Sequence, residues 1–127
     1  MARKISCICL LFAFALANAR TVSVSNLSEL KKLTQDKKAV LKFSAVWCGP
    51  CRTSTPVFEE FSTDVAYKDI LFIKVDVDAG KDIARSFRIN GIPAFVFVKD
   101  NKVVNKVVGI DNLRKNLTNH LDRLAAA

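Results

Sequence analysis

One histidine, one tryptophan and one tyrosine occur in 127 residues, and no apolar run is long enough to cross a bilayer. A spanning helix needs about 18 or more consecutive apolar residues, so membrane insertion is not expected. Internal repeats and low-complexity tracts are absent too, apart from the terminal Ala125-Ala126-Ala127. Acidic residues are in the minority, 12 Asp+Glu against 20 Lys+Arg, for a formal charge of +8. Such an excess raises nucleic acid or an anionic membrane as a partner. The basic pairs Lys31-Lys32, Lys37-Lys38 and Arg114-Lys115, however, come without interleaved aromatics or a nucleic-acid motif, so they read as solvated faces and no nucleic-acid role is expected. What the chain does have is 50% apolar and 25% charged residues, the balance of a folded protein. Its length fits one domain.

The four cysteines divide unevenly. Residues 1–19 read as a secretory signal peptide: Arg3 and Lys4 open it, Ile5 to Ala17 are apolar except for Ser6, and Ala17-Asn18-Ala19 is a small-x-small cleavage pattern. Removing these 19 of 127 residues leaves a domain of 108, residues 20–127. Arg3 and Lys4 go with the leader, which brings +8 to +6, and so do Cys7 and Cys9. Cys48 and Cys51 are then the remaining sulfurs, too few for a disulfide scaffold even in an oxidising compartment. The expected destination is secretion. The lumen of the endomembrane system is the alternative, with no KDEL-type signal at the end of the chain to favour it.

Patterning along the rest of the chain alternates strand and helix. Thr21 to Val24 suggests a first strand. Asn26 with Glu29 has capping-box spacing ahead of the Leu27, Leu30 and Leu33 stripe. Ala39 to Ser44 reads as a strand, and past Cys51 a longer helix is marked by Val57, Phe58, Phe61 and Val65, with Pro56 inside it predicting a kink. Ile70 to Ile73 has the continuous apolar character of a strand covered on both faces. A short helix around Lys81 to Phe87 follows. Ala94 to Val98 and Val103 to Val108 are joined so tightly that they must form an antiparallel hairpin, and Leu113, Leu117, Leu121 and Leu124 trace a final amphipathic helix. The order βαβαβαββα predicts an α/β fold with a central mixed sheet and helices on both faces.

Cys48 and Cys51 fall at a strand-to-helix junction. A thiol there faces unpaired backbone N–H groups and the positive end of the helix dipole, which favour thiolate over thiol. One turn later on the same face, Cys51 is near enough to pair with it. Cys48 is then the exposed nucleophile toward a substrate disulfide, and the more buried Cys51 resolves the mixed disulfide. Gly49 lets the chain turn and Pro50 presets φ at the helix start. Half a zinc site is the rival reading, but a structural site needs four ligands and only His120, expected as a polar surface residue far along the last helix, remains as a third. Neither metal nor cofactor is expected.

Trp47-Cys48-Gly49-Pro50-Cys51 resembles the active-site motif of the thioredoxin family letter for letter. Pro56, Gly91-Ile92-Pro93 and Gly109 match further family positions in order, so the likeness spans about residues 21–124. It implies the thioredoxin fold and a protein-disulfide reductase, or thiol–disulfide oxidoreductase. It implies a cis bond at Pro93, with Ile92 offering its backbone to an extended substrate strand. Trp47, Gly49, Pro50, Ile92, Gly109 and Ile110 would form the apolar docking surface. The implied partners are disulfide-containing proteins, with a thioredoxin reductase or another thiol donor to restore the dithiol. A surface of that kind serves substrates or a second copy, so a monomer or weak dimer is expected.

Three positions depart from the family. Lys42 stands where thioredoxins usually carry a buried Asp, and its strand register would set it near Lys74 beneath the cysteines. Either Lys42 stays inside and favours the thiolates, or it snorkels to solvent. Ser44 replaces a frequent aromatic, leaving space, and Ala94 a frequent Thr. Asn26 and Asn116 fit the N-glycosylation pattern, alongside the plainer readings of a helix cap and an exposed helix residue. The competing function is a secreted effector or binding module on the same fold with incidental redox activity. A lumenal folding factor is a third.

Overall fold

The computed structural model describes residues 20–127, and the proposed leader with Cys7 and Cys9 lies outside the described residues. The patterns resolve into β1 (Thr21–Ser23), α1 (Leu27–Thr34), β2 (Lys38–Ser44), α2 (Gly49–Ser62), a 3₁₀ turn at Val65–Tyr67, β3 (Ile70–Asp76), α3 (Lys81–Ser86), β4 (Ala94–Lys99), β5 (Lys102–Val108) and α4 (Leu113–Ala126). The strands form one sheet in the order β1-β3-β2-β4-β5. β3 runs parallel to both β1 and β2, whereas β4 is antiparallel to β2 and β5. The expected α/β mixed sheet is therefore the one observed.

Period-two alternation on β2 divides the core. Ala39, Leu41 and Phe43 point to one face, where they meet Leu30 of α1 and Ile83 of α3. Val40 points to the other, with Phe58 of α2, Phe72 and Phe95 of the flanking strands, and Leu117 and Leu121 of α4. Lys42 falls on this second face by the same alternation, directly beneath α2.

Local chemistry explains the boundaries. Asn26 caps α1, its side-chain oxygen accepting the Glu29 N–H at 3.1 Å. The β4–β5 turn uses Asp100 and Asn101, both at positive φ (48° and 62°), as a two-residue hairpin turn of this hand requires. Three expectations need correcting. α2 stops at Ser62, and Val65 is 76% exposed on the separate 3₁₀ turn. Ser62 and Thr63 turn their hydroxyls back onto the carbonyls of Glu59 and Glu60, competing with the helix, and Asp64 then caps the next turn at the Ala66 N–H. His120 is half-buried rather than a surface residue, its ring 5.2 Å from that of Phe97. Asn116 is half-buried too, its side-chain N–H donating to the Asp111 carbonyl.

Phe58 is the buried contact between α2 and the sheet, with ring centroids 5.2 Å from Phe72 and 6.0 Å from Phe95. Phe58→Ala is expected to lose about 3–5 kcal/mol of stability, read from urea unfolding. A loss below about 1 kcal/mol, the scale of an ordinary point substitution, would show that α2 is held by something else.

Candidate active site

β2 ends at Ser44, and four residues later Cys48 becomes the N-cap of α2 in extended conformation (φ −93°, ψ 111°). Its sulfur does what a cap oxygen ordinarily does and accepts the Cys51 N–H at 3.2 Å. Cys51 follows one turn on, with Cα atoms 5.2 Å apart, and the two sulfurs are joined as a disulfide. The expectation of an exposed nucleophile is corrected here: Cys48 is 6% exposed, though still more open than Cys51 at 1%. Ala45, Val77 and Ile92 pack around the pair and shade it.

Gly49 and Pro50 are the first two residues of α2 and both are exposed. Gly49 has no positive φ, and a Cβ there would meet nothing within 4 Å. Its freedom is therefore not needed for the turn, which corrects the expectation. Gly109 does need its freedom, at φ +88°. Its N–H donates to the Pro93 carbonyl at 2.8 Å, and the Ile92–Pro93 bond is cis. The register Ala94↔Val108 explains this meeting, since the start of β4 lies beside the end of β5.

Trp47 is 66% exposed, held by its indole N–H on Asp78 Oδ2 at 2.9 Å. Asp78 is in turn seated by its backbone N–H on Asp76 Oδ1. Neither aspartate stood out in the sequence. Ile110 is exposed beside Gly109, and Val46, next to Trp47, and Val108, at the end of β5, are exposed apolar residues as well.

Behind the cysteines Lys42 is fully enclosed, 1% exposed. It does not snorkel. Its ammonium donates to the Cys51 carbonyl and to Thr55 Oγ1, each at 3.1 Å. Lys42 lies in register with Lys74 of β3, whose own ammonium pairs with Glu59 at 3.1 Å. Burial first, and the charge of Lys74 second, lower the pKa of Lys42 to about 8, with Glu59 acting partly against them. On the Ser44 side a pocket of about 170 Å³ opens, bordered by Cys51, Thr55 and Asp76. Asn26 caps α1 and Asn116 lies within α4, and neither is among the residues gathered around the pair.

A sulfur at a helix start, a second one turn behind it and a carbonyl-bearing loop alongside make a thiol–disulfide exchange site. The thioredoxin family model matches residues 21–123. A thioredoxin of Coprinus comatus is 42% identical over 87 residues, covering 68% of this chain and 82% of that one. The TPR repeat-containing thioredoxin TDX of Arabidopsis thaliana is 38% identical over 113 residues, 84% of this chain, and the match spans 29% of that longer protein. Among solved structures, the thioredoxin of Malassezia sympodialis superposes with a TM-score of 0.78 at 35% identity, covering 84% of this chain and 92% of the other. With its cysteine pair at the start of α2 and this likeness over the whole described sheet, the chain belongs to the thioredoxin family, and is a thiol–disulfide oxidoreductase.

Proposed function

We propose that the protein is a secreted oxidoreductase that exchanges protein disulfides through Cys48 and Cys51. The observation that carries the reading is the Cys48 sulfur at the N-cap of α2, receiving the Cys51 N–H. That N–H and the dipole behind it favour a thiolate over a thiol at this position. From the reduced state, the Cys48 thiolate attacks one sulfur of a substrate disulfide, and the other leaves as a thiolate. Cys51 then gives up its proton and attacks Cys48 Sγ, expelling the second substrate sulfur. Two electrons pass from the cysteine pair to the substrate; the Cys51 proton ends on one released sulfur, and the other leaves as a thiolate that takes its proton from solvent.

Substrate placement follows from the loops. Ile92 precedes the cis bond with its side chain against the cysteines, and an extended substrate segment would pair with its backbone. Trp47, Ile110 and the open surface at Gly49 and Pro50 would receive the flanking apolar side chains, while Gly109 holds the Pro93 carbonyl in place. A thioredoxin reductase or another thiol donor would return the disulfide to the dithiol. Export rests on the leader pattern of residues 1–19.

In an insulin-reduction assay with dithiothreitol, Cys48→Ser should fall to the rate of dithiothreitol alone. A variant as fast as wild type would remove the enzymatic reading. Cys51→Ser should instead accumulate a covalent adduct with substrate, visible on a non-reducing gel and released by thiol, because the resolving step is lost. Expressed in a secreting cell, the protein recovered from the medium should begin at Arg20. Retention inside the cell with Met1 intact would end the export proposal.

A further inference from the structure

Lys42 is the only buried lysine or arginine among the described residues, and it lacks a counter-ion. The ion pairs described are Lys74–Glu59 and Arg114–Glu60, and neither includes it. Its ammonium rests on two neutral oxygens, the Cys51 carbonyl and Thr55 Oγ1. Enclosing a cation with dipoles but no anion is unfavourable. The charged and titratable groups facing it are few. α2 contributes the cysteines and Glu59, β3 contributes Lys74, and β4 sets only Phe95 opposite it in register. Arg52 and Asp76 border the pocket on the Ser44 side. Glu59 is engaged by Lys74, and Asp76 Oδ1 accepts the N–H groups of Asp78 and Ala79.

The disulfide is neutral and offers this cation nothing. Opening it creates a thiolate on the very helical turn that Lys42 holds by the Cys51 carbonyl. Building on the redox reading above, we propose that Lys42 is a positioning residue whose buried charge stabilises the thiolate-bearing pair over the disulfide. The couple is thereby a stronger oxidant, and its reduction is linked to the proton on Lys42. When a dithiol donor reduces the pair, the Cys48–Cys51 bond breaks and two electrons enter it, while the donor's sulfurs join as its own disulfide. Of the donor's two protons, one stays on a cysteine thiol. The other is released to solvent, or is taken up by Lys42 Nζ wherever that amine is neutral.

The sign with pH follows. In the disulfide form Lys42 is neutral above about pH 8. A neighbouring thiolate raises its proton affinity, and by reciprocity the proton on Lys42 favours the thiolate. Between the two midpoints the wild type takes up one proton more on reduction than a chain without an ionisable group there. Its potential must then fall more steeply as pH rises, until both forms carry a neutral amine and the advantage is gone.

The test is equilibration of wild type and Lys42→Met with glutathione at pH 7, 8, 9 and 10, with redox state read by alkylation and mass spectrometry. At pH 7 the wild-type equilibrium constant for reduction should exceed that of the variant by about tenfold, or about 30 mV, and the gap should close toward pH 10. Equal potentials at pH 7, or a gap constant across the series, overturn the proposal. Wild type alone supplies an arm that needs no variant to fold. A ¹³Cε NMR titration of Lys42 should give a higher midpoint in the reduced than in the oxidised protein, and identical midpoints overturn the linkage. The titration needs no turnover, so separated midpoints in a protein inactive on insulin would sink the enzymatic reading alone. Identical midpoints in an active protein would sink this inference alone.

Discussion

A helix start has N–H groups that nothing within the helix can satisfy, and at α2 the acceptor supplied for them is sulfur. Sulfur in a thiol or disulfide is a weak acceptor, whereas a thiolate is a good one. The first turn of α2 is therefore better satisfied when Cys48 is an anion, and the site's reactivity is the local form of an unmet capping demand. No acidic side chain occupies that turn to compete for the dipole. Pro50, lacking an N–H, removes one donor that would otherwise need a partner.

The far side of the same turn is loaded with donors. The Cys51 carbonyl accepts from Ser54 Oγ at 2.8 Å, Thr55 Oγ1 at 3.0 Å and Lys42 Nζ at 3.1 Å. Two of these are local and one comes from β2, so Lys42 ties the helix to the strand beneath it. Pro56 adds to the demand nearby, because it cannot donate to the Arg52 carbonyl one turn back. An apolar side chain at position 42 would fill the space but supply neither the tie nor the charge. That is why a residue otherwise unsuited to a core is accommodated there.

Much of this was legible in the chain. Trp47 to Cys51 points to its chemistry through its place between strand and helix and its resemblance to the thioredoxin motif, and the alternation along β2 and β3 and the leucine stripe of α4 are visible as periods. What was hidden depends on distance or direction. Asp78 meets Trp47 across 31 positions, and no local pattern announces such a pair. Alternation puts Lys42 on the α2 face but does not say whether its amine turns inward or out. That is decided by acceptors on another element. Val65 continued the helical period after the backbone had left it, because the hydroxyls of Ser62 and Thr63 decide the ending rather than apolar spacing. Gly49 has the look of a turn residue, yet its backbone keeps an ordinary φ that any residue could adopt.

The mixed direction of the sheet is what assembles the site. β2 lies between a parallel neighbour and an antiparallel one, so the end of β2 sits beside the end of β3 and the start of β4. The pairs Ser44↔Asp76 and Phe43↔Ala94 mark that edge, and Ala94↔Val108 adds the end of β5. Four chain segments that are remote in sequence thus leave or enter the sheet together: the cysteine turn, the loop bearing Asp78, the Ile92–Pro93 bond and Gly109. In an all-parallel sheet every strand would enter at the opposite edge, and the segment preceding β4 could not stand beside the cysteines. The antiparallel hairpin at the C-terminal end of the chain therefore contributes no reacting atom, yet it is the reason a substrate strand and the nucleophile can share one edge.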